Sequence, residues 1–217
     1  KSLTATASAA NKVYDASNTA STTLTFSGLI GTETLGQTVG STFNNKNVGT
    51  GKTVTVNSIT LADGTGLAAN YSISPGQTTT AHISKKPLTV SSISASNKTY
   101  DGNDTATSTI TLSGFIGTET LTSSNLSSFN NKNVGTVKTV TVNSITLADG
   151  TNGGLASNYS IATGQTTTAD VTAKALSVSG ITASDKTYDA NAVASLNTGG
   201  VTYTGLIGGD VFNGTYT

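Results

Sequence analysis

The residues able to do chemistry are few, and most of them recur at a fixed interval. Gly49-Thr50-Gly51-Lys52-Thr53 has the ending of a phosphate-binding loop, where backbone N–H groups and a lysine cradle a phosphate at a helix N-terminus. That loop needs glycine at position 46, which is Lys46; the motif's second occurrence, residues 135–139, carries Val137 for Gly51; and the flanking residues alternate as a strand. A turn entering a strand is therefore expected. His82 is the single histidine, Asp170 stands in its place further along, and no Gly-x-Ser-x-Gly elbow offers a nucleophile for a Ser-His-Asp triad. Glu33 and Glu119 lie in Gly-Thr-Glu-Thr-Leu strings with no second carboxylate at corresponding positions for paired acid and base work. They read as solvated turn residues, and the chain reads as a non-enzyme without catalytic residues or a bound cofactor.

Asp101, Asn103 and Asp104 place oxygen ligands at the close spacing that calcium favours. The corresponding positions keep Asp15, Ser17 and Asn18 in one case and only Asp189 and Asn191 in the other, so the ligand count falls where a shared site should hold it. No metal site is expected, and these three residues are its only candidates. Lys12, Lys98 and Lys186 each precede a Tyr-Asp pair. Two roles are open to them: an isopeptide crosslink to a buried acid or amide, or a stem lying over apolar surface with its head in water. The second is the expectation. Tyr14-Asp15, Tyr100-Asp101 and Tyr188-Asp189 are read as structural signatures, with the ring buried and the hydroxyl on a backbone partner. Asn-x-Ser/Thr sequons recur at Asn70, Asn97, Asn103, Asn125, Asn158 and Asn213, many by chance in so Asn-, Ser- and Thr-rich a chain.

Internal repetition positions these residues. The string KTVTVNSITLADGT occupies residues 52–65 and 138–151, and NNKNVGT residues 44–50 and 130–136, both at an offset of 86. GQTTTA returns at an offset of 88, after TGL lengthens to TNGGL. A third copy opens at Lys174 and runs about half its course. The domain reading is thus 1–85, 86–173 and a truncated 174–217. Thr53-Val54-Thr55-Val56 alternates, after which Ile59 and Leu61 continue on the other parity, the signature of a bulge or strand end near Asn57-Ser58. Nothing reads as a helix. Six or seven short strands per copy, punctuated by turn signals, predict an all-β fold of tandem Ig-like β-sandwich repeats, with a β-grasp as the alternative. At residues 82–90 one copy's last strand runs almost directly into the next copy's first, and Pro87 stiffens the join. The array is expected to be a stiff rod of modules, each with a radius of gyration of roughly 12 Å.

Composition narrows the function classes. Hydrophobic residues make up 35% of the 217 and charged residues 10%, with 11 Lys balancing 11 acids. That is too little positive charge to neutralise a nucleic-acid backbone, and no apolar run approaches the ~20 residues of a membrane helix. Cysteine is absent, so neither disulfides nor thiolate metal sites are available.

Lys98-Thr-Tyr-Asp-Gly102, Asn-Lys-Asn-Val-Gly, the Leu-Ala-Asp-Gly turn and Asn-Tyr-Ser-Ile together resemble the YDG repeats and related MBG modules of very large exported bacterial proteins of the filamentous-haemagglutinin and giant-adhesin type. The resemblance spans the chain. Gly102 is replaced by Ala16 and Ala190 in the other copies, so no left-handed backbone is expected there. It implies secretion to the bacterial cell surface in association with the outer membrane. Two roles follow: a stalk that projects an adhesive region, or repeats that themselves bind host glycan or mucin or self-associate in biofilm. The lack of a concentrated aromatic or charged patch favours the stalk, whose partners are the neighbouring repeats.

Overall fold

A computed structural model describes residues 1–212, 214 and 215, so the sequon at Asn213 lies outside the described residues. The first copy forms β1 (Thr4–Ala9), β2 (Lys12–Val13), β3 (Thr19–Ala20), β4 (Thr22–Ser27), β5 (Leu35–Phe43), β6 (Gly49–Asp63) and β7 (Thr78–Ser84). The second forms β8 (Lys86–Ala95), β9 (Lys98–Thr99), β10 (Thr105–Ala106), β11 (Ser108–Ser113), β12 (Leu121–Phe129), β13 (Gly135–Asp149), β14 (Tyr159–Ile161) and β15 (Thr166–Thr172). Only Lys85 separates β7 from β8, the tight junction expected of the sequence. The third copy contributes β16 (Ser177–Ser179), β17 (Thr182–Ala183), β18 (Leu196–Asn197) and β19 (Thr202–Thr204). Its described part carries no buried residue. The described residues are all-β apart from two single 3₁₀ turns, Ala68–Asn70 and Ala156–Asn158.

Within the first copy, β1 pairs antiparallel with β4, while a five-stranded sheet runs β2-β7-β6-β5-β3. Its β2–β7 edge is parallel, with Lys12 opposite Ile83. The parity switch has the cause anticipated: Gly40 pairs with Ser58 and Ser41 with Val56, so Asn57 is the extra residue of a β-bulge. Alternation on either side puts Val54 and Val56 inward, both fully buried. The second copy repeats the five-stranded arrangement as β9-β15-β13-β12-β10 and adds a three-stranded sheet, β11-β8-β14.

The Gly49–Lys52 segment that imitates a phosphate loop is a second irregularity, a register shift on the β6 edge against β7. Gly51 sits there at φ 58°, and Val137, its counterpart, at φ 51°. The freed N–H groups are held from the neighbouring strand: Gly51 N donates to His82 Nδ1 at 2.9 Å and Val137 N to Asp170 Oδ1 at 2.7 Å. This explains why a histidine and an aspartate can occupy one structural position. Both present an acceptor at the same reach.

Compactness does not follow the repeats. One compact unit comprises Lys1–Ser91, Leu112–Ser124 and Ile145–Ala162, and the other Ser92–Thr111, Asn125–Ser144 and Thr163–Thr217. The first unit therefore contains a whole repeat together with two segments of the next. Its core joins Tyr14, Phe43, Val54, Ala81 and Ile83 of the first copy to Leu88 and Tyr159 of the second. The second unit centres on Ala106, Phe129, Val140, Ala169 and Val171.

Candidate functional site, a tyrosine and glutamate cluster joining consecutive repeats

Tyr14 follows β2 directly, and its backbone N–H donates to Ser84 O on β7 at 2.9 Å. That edge bond turns its ring into the first unit's core, where it is 1% exposed. The ring meets Tyr159 edge-on at a centroid distance of 5.5 Å, and Tyr159 meets Phe115 at 5.8 Å. Edge-to-face pairs of this kind are favoured by the ring quadrupoles.

The hydroxyl's partner differs from the backbone group expected. Tyr14 OH donates to Glu119 Oε1 at 2.7 Å, and Tyr159 OH donates to Glu119 Oε2 at 2.6 Å. Glu119, read from sequence as a solvated turn residue, is buried, with the half-exposed Lys46 ammonium 3.6 Å from Oε1. Burying a carboxylate is costly unless its oxygens are satisfied, and two hydroxyls and one cation do this. Tyr159 also accepts from Ile116 N at 3.1 Å, which fixes the turn carrying the glutamate. Asn158, with no exposed surface, completes the junction: Val48 N donates to its Oδ1 at 2.9 Å, and its Nδ2 donates to Asn47 Oδ1 at 3.1 Å. Lys46, Asn47 and Val48 belong to the first copy, Glu119 and Asn158 to the second. Burial, followed by the hydrogen bond to Glu119, raises the Tyr14 and Tyr159 hydroxyls above the ordinary phenol range. With a hydroxyl donor on each carboxylate oxygen, the cluster is a polar lock between the two copies.

The same contact recurs within the second unit. Tyr100 OH donates to Asp210 Oδ1 at 3.1 Å, and Asp210 occupies in the third copy the position of Glu119. Tyr188 is 90% exposed. Sequence comparison alone did not link Tyr14 to Glu119, because they lie 105 residues apart and the partners come from different copies. The recurrence of both residues was the available signal.

The residues flanking each tyrosine form a second local device. Lys12 Nζ donates to Asp15 Oδ1 at 2.7 Å, Ser17 O at 2.8 Å and Thr19 O at 3.0 Å. Lys98 Nζ does the same to Asp101 Oδ1 at 2.8 Å, Asn103 O at 2.8 Å and Thr105 O at 3.0 Å. Lys186 Nζ reaches Asp189 Oδ1 at 2.8 Å and Asn191 O at 2.9 Å. The oxygens of Asp101 and Asn103 considered for calcium thus converge on an ammonium, while Asp104 contributes its carbonyl to Phe129 N at 2.7 Å. Lys12 and Lys98 also lie 5.6 Å and 5.7 Å from the ring centroids of Phe43 and Phe129. The Lys12 and Lys98 heads are therefore caged by acceptors over an aromatic face, a different arrangement from a head left in water. Asp101 and Asp189 are held below the ordinary carboxylate range by the lysine hydrogen bond, and at Asp15 that bond and Ser17 outweigh the opposing effect of burial.

The residue after each Tyr-Asp pair corrects a sequence expectation. Ala16 has φ 62°, Gly102 φ 83° and Ala190 φ 60°, so the left-handed turn is adopted whether or not glycine is present. The Asp side chain stabilises it: Ser17 N donates to Asp15 Oδ1 at 2.9 Å and Asn103 N to Asp101 Oδ1 at 3.2 Å.

A tyrosine edge from one repeat closed on an acid from the next defines a class of tandem all-β modules with shared cores. The chain belongs to the YDG domain family, whose model matches residues 1–81 and 84–169. No curated protein and no solved structure matches the chain.

Proposed function

We propose that this chain is a structural spacer from the stalk of a large secreted bacterial adhesin, built of Ig-like β-sandwich repeats that hold an adhesive region away from the cell surface. The carrying observation is the Tyr14–Glu119–Tyr159 lock, which makes the junction between repeats part of a buried core. A junction of that kind resists bending and extension, which suits a load-bearing connector. The sandwich reading draws on the division of the chain's start, where β1 joins one sheet and β2 the other. The recurring polar groups support the reading as well, since His82, Asp170, Glu119 and the three caged lysines serve backbone or inter-repeat bonds.

Single-molecule extension of the chain tests the spacer role. Opening of the first compact unit, which holds a whole copy and two segments of the next, should release more contour than one 86-residue repeat, roughly 300 Å at about 3.6 Å per residue. Glu119→Ala should lower the force of the first unit's event. A glycan array probed with the same chain should stay blank; reproducible sugar binding would show that the repeats are themselves the adhesive.

A further inference from the structure

Two lysines outside the Lys-Tyr-Asp devices have different surroundings. Lys52 on β6 and Lys138 on β13 are each 9% exposed and share the inward parity of Val54 and Val140. The stem of each lies against a glycine. A Cβ at Gly49 would sit 3.3 Å from Lys52 Cγ and Cδ, and one at Gly135 3.3 Å from the same atoms of Lys138. Lys12, Lys98 and Lys186 each pair with an aspartate, whereas among the described residues no carboxylate pairs with Lys52 or Lys138. Their heads instead meet a side-chain amide: Lys52 Nζ donates to Asn45 Oδ1 at 2.6 Å, and Lys138 Nζ to Asn131 Oδ1 at 2.6 Å. The same two oxygens accept backbone N–H groups, from Asn47 and Asn133, at 3.0 Å. A buried ammonium without a counter-charge is costly. Burial accordingly lowers the Lys52 value, which favours the neutral, nucleophilic amine.

We propose that Lys52 with Asn45, and Lys138 with Asn131, are the partners of isopeptide bonds that close the β5–β6 and β12–β13 turns. In each pair the neutral Nζ attacks Asn Cγ, the atom bonded to the oxygen it already contacts. The backbone N–H of Asn47 or Asn133 stabilises the negative charge that builds on Oδ1. The Nζ–Cγ bond forms, the Cγ–Nδ2 bond breaks, and Nδ2 departs as ammonia with a proton given up by Nζ. One amide replaces another, with no oxidation or reduction. Asn45 and Asn131 are exposed, which leaves the ammonia a route to solvent. Fixing amine and amide in contact makes the step intramolecular, and it has to occur only once per chain. The product replaces a buried cation with a neutral amide. The shared string is Asn-Lys-Asn-Val-Gly-Thr-x-Lys, residues 45–52 and 131–138. These bonds differ from the crosslink considered for Lys12, Lys98 and Lys186, and the inference stands apart from the spacer reading.

Intact-mass spectrometry of the full chain, as purified and after prolonged incubation at mildly alkaline pH, tests it. The chain should weigh two ammonia molecules less than its sequence, one for each bond. Trypsin cleaves after Lys46 and Lys132, inside the closed turns, so the digest should contain branched peptides joining Asn45 to Lys52 and Asn131 to Lys138. Lys52→Arg and Lys138→Arg should each regain one ammonia of mass, and the double variant should match its sequence. A chain whose mass equals its sequence after incubation overturns the proposal. So does a deficit that persists in the double variant, or one that maps to a succinimide at Asn152-Gly153 while Lys52 and Lys138 lie in linear peptides. A deficit of one ammonia, with one pair linked, overturns it for the other pair.

Discussion

The hydroxyls of Tyr14 and Tyr159 on Glu119 carry the clearest energetic consequences of any side chains here. A hydrogen bond to a charged acceptor contributes about 1.5–3 kcal/mol, and its removal leaves part of a buried carboxylate unsatisfied. Tyr14→Phe should therefore lower stability by about 2 kcal/mol with little change in packing, as read by chemical denaturation. Because both phenols are held protonated above their ordinary range, their contribution is fully present below about pH 10, the unfolded value for tyrosine, and is lost as pH rises through the folded values. The alkaline limb of the stability profile should flatten in the Tyr14→Phe, Tyr159→Phe double variant. At the acid end the sign reverses. Asp15, Asp101 and Asp189 have lowered values, so their contribution is present above about pH 4 and disappears as pH falls through the folded values. An unchanged alkaline limb in the double variant would show that other groups set it. Ala16 offers a test of opposite direction: at φ 62° a Cβ is disfavoured, and Ala16→Gly should add about 0.5–1 kcal/mol.

Among the elements, the long central strands β6 and β13 are notable for where they are broken. The Asn57 bulge was legible in the sequence because a change of parity in a two-residue period has few other causes. The bulge at Gly49–Lys52 was legible only as a turn, since Gly-Thr-Gly-Lys fits several backbones. What decides between them is the acceptor on the adjacent strand, which lies 31 residues away at His82. Val137 makes the constraint measurable. A β-branched residue at φ 51° is strained, so Val137→Gly should raise stability by about 1 kcal/mol. His82→Asp should be tolerated because it reproduces Asp170, whereas Asp170→Ala leaves the Val137 N–H without its acceptor and should cost about 1 kcal/mol. Loss of stability in Val137→Gly would mean that the valine side chain contributes packing which outweighs its backbone strain.

On the scale of the whole chain, the period and the folding unit are distinct, and this was the part least legible in the sequence. Self-similarity locates copies to the residue, yet it carries no information about which copy's side chains complete which core. Tyr14 and Glu119 recur for the same reason, so alignment displays them as separate features of one repeat when they are two halves of a contact. The division of the first compact unit, a complete first copy plus Leu112–Ser124 and Ile145–Ala162, follows from that contact. A first copy cut off at residue 85 would have to expose part of Tyr14, which is 1% exposed in the intact chain and has Tyr159 and Glu119 among its neighbours. Aromatic rings of this kind bury about 150–250 Å² each, and at about 25 cal/mol per Å² a partial loss of cover costs about 2–4 kcal/mol. Against the 5–15 kcal/mol typical of a whole domain, that is enough to lower Tm by roughly 10–20 °C in a module of this size. A chain ending at Ala162 retains the acceptor segments and should keep the first core near its intact melting temperature. Equal melting of residues 1–85 and 1–162 would make the repeat its own folding unit and reduce the tyrosine lock to a surface contact.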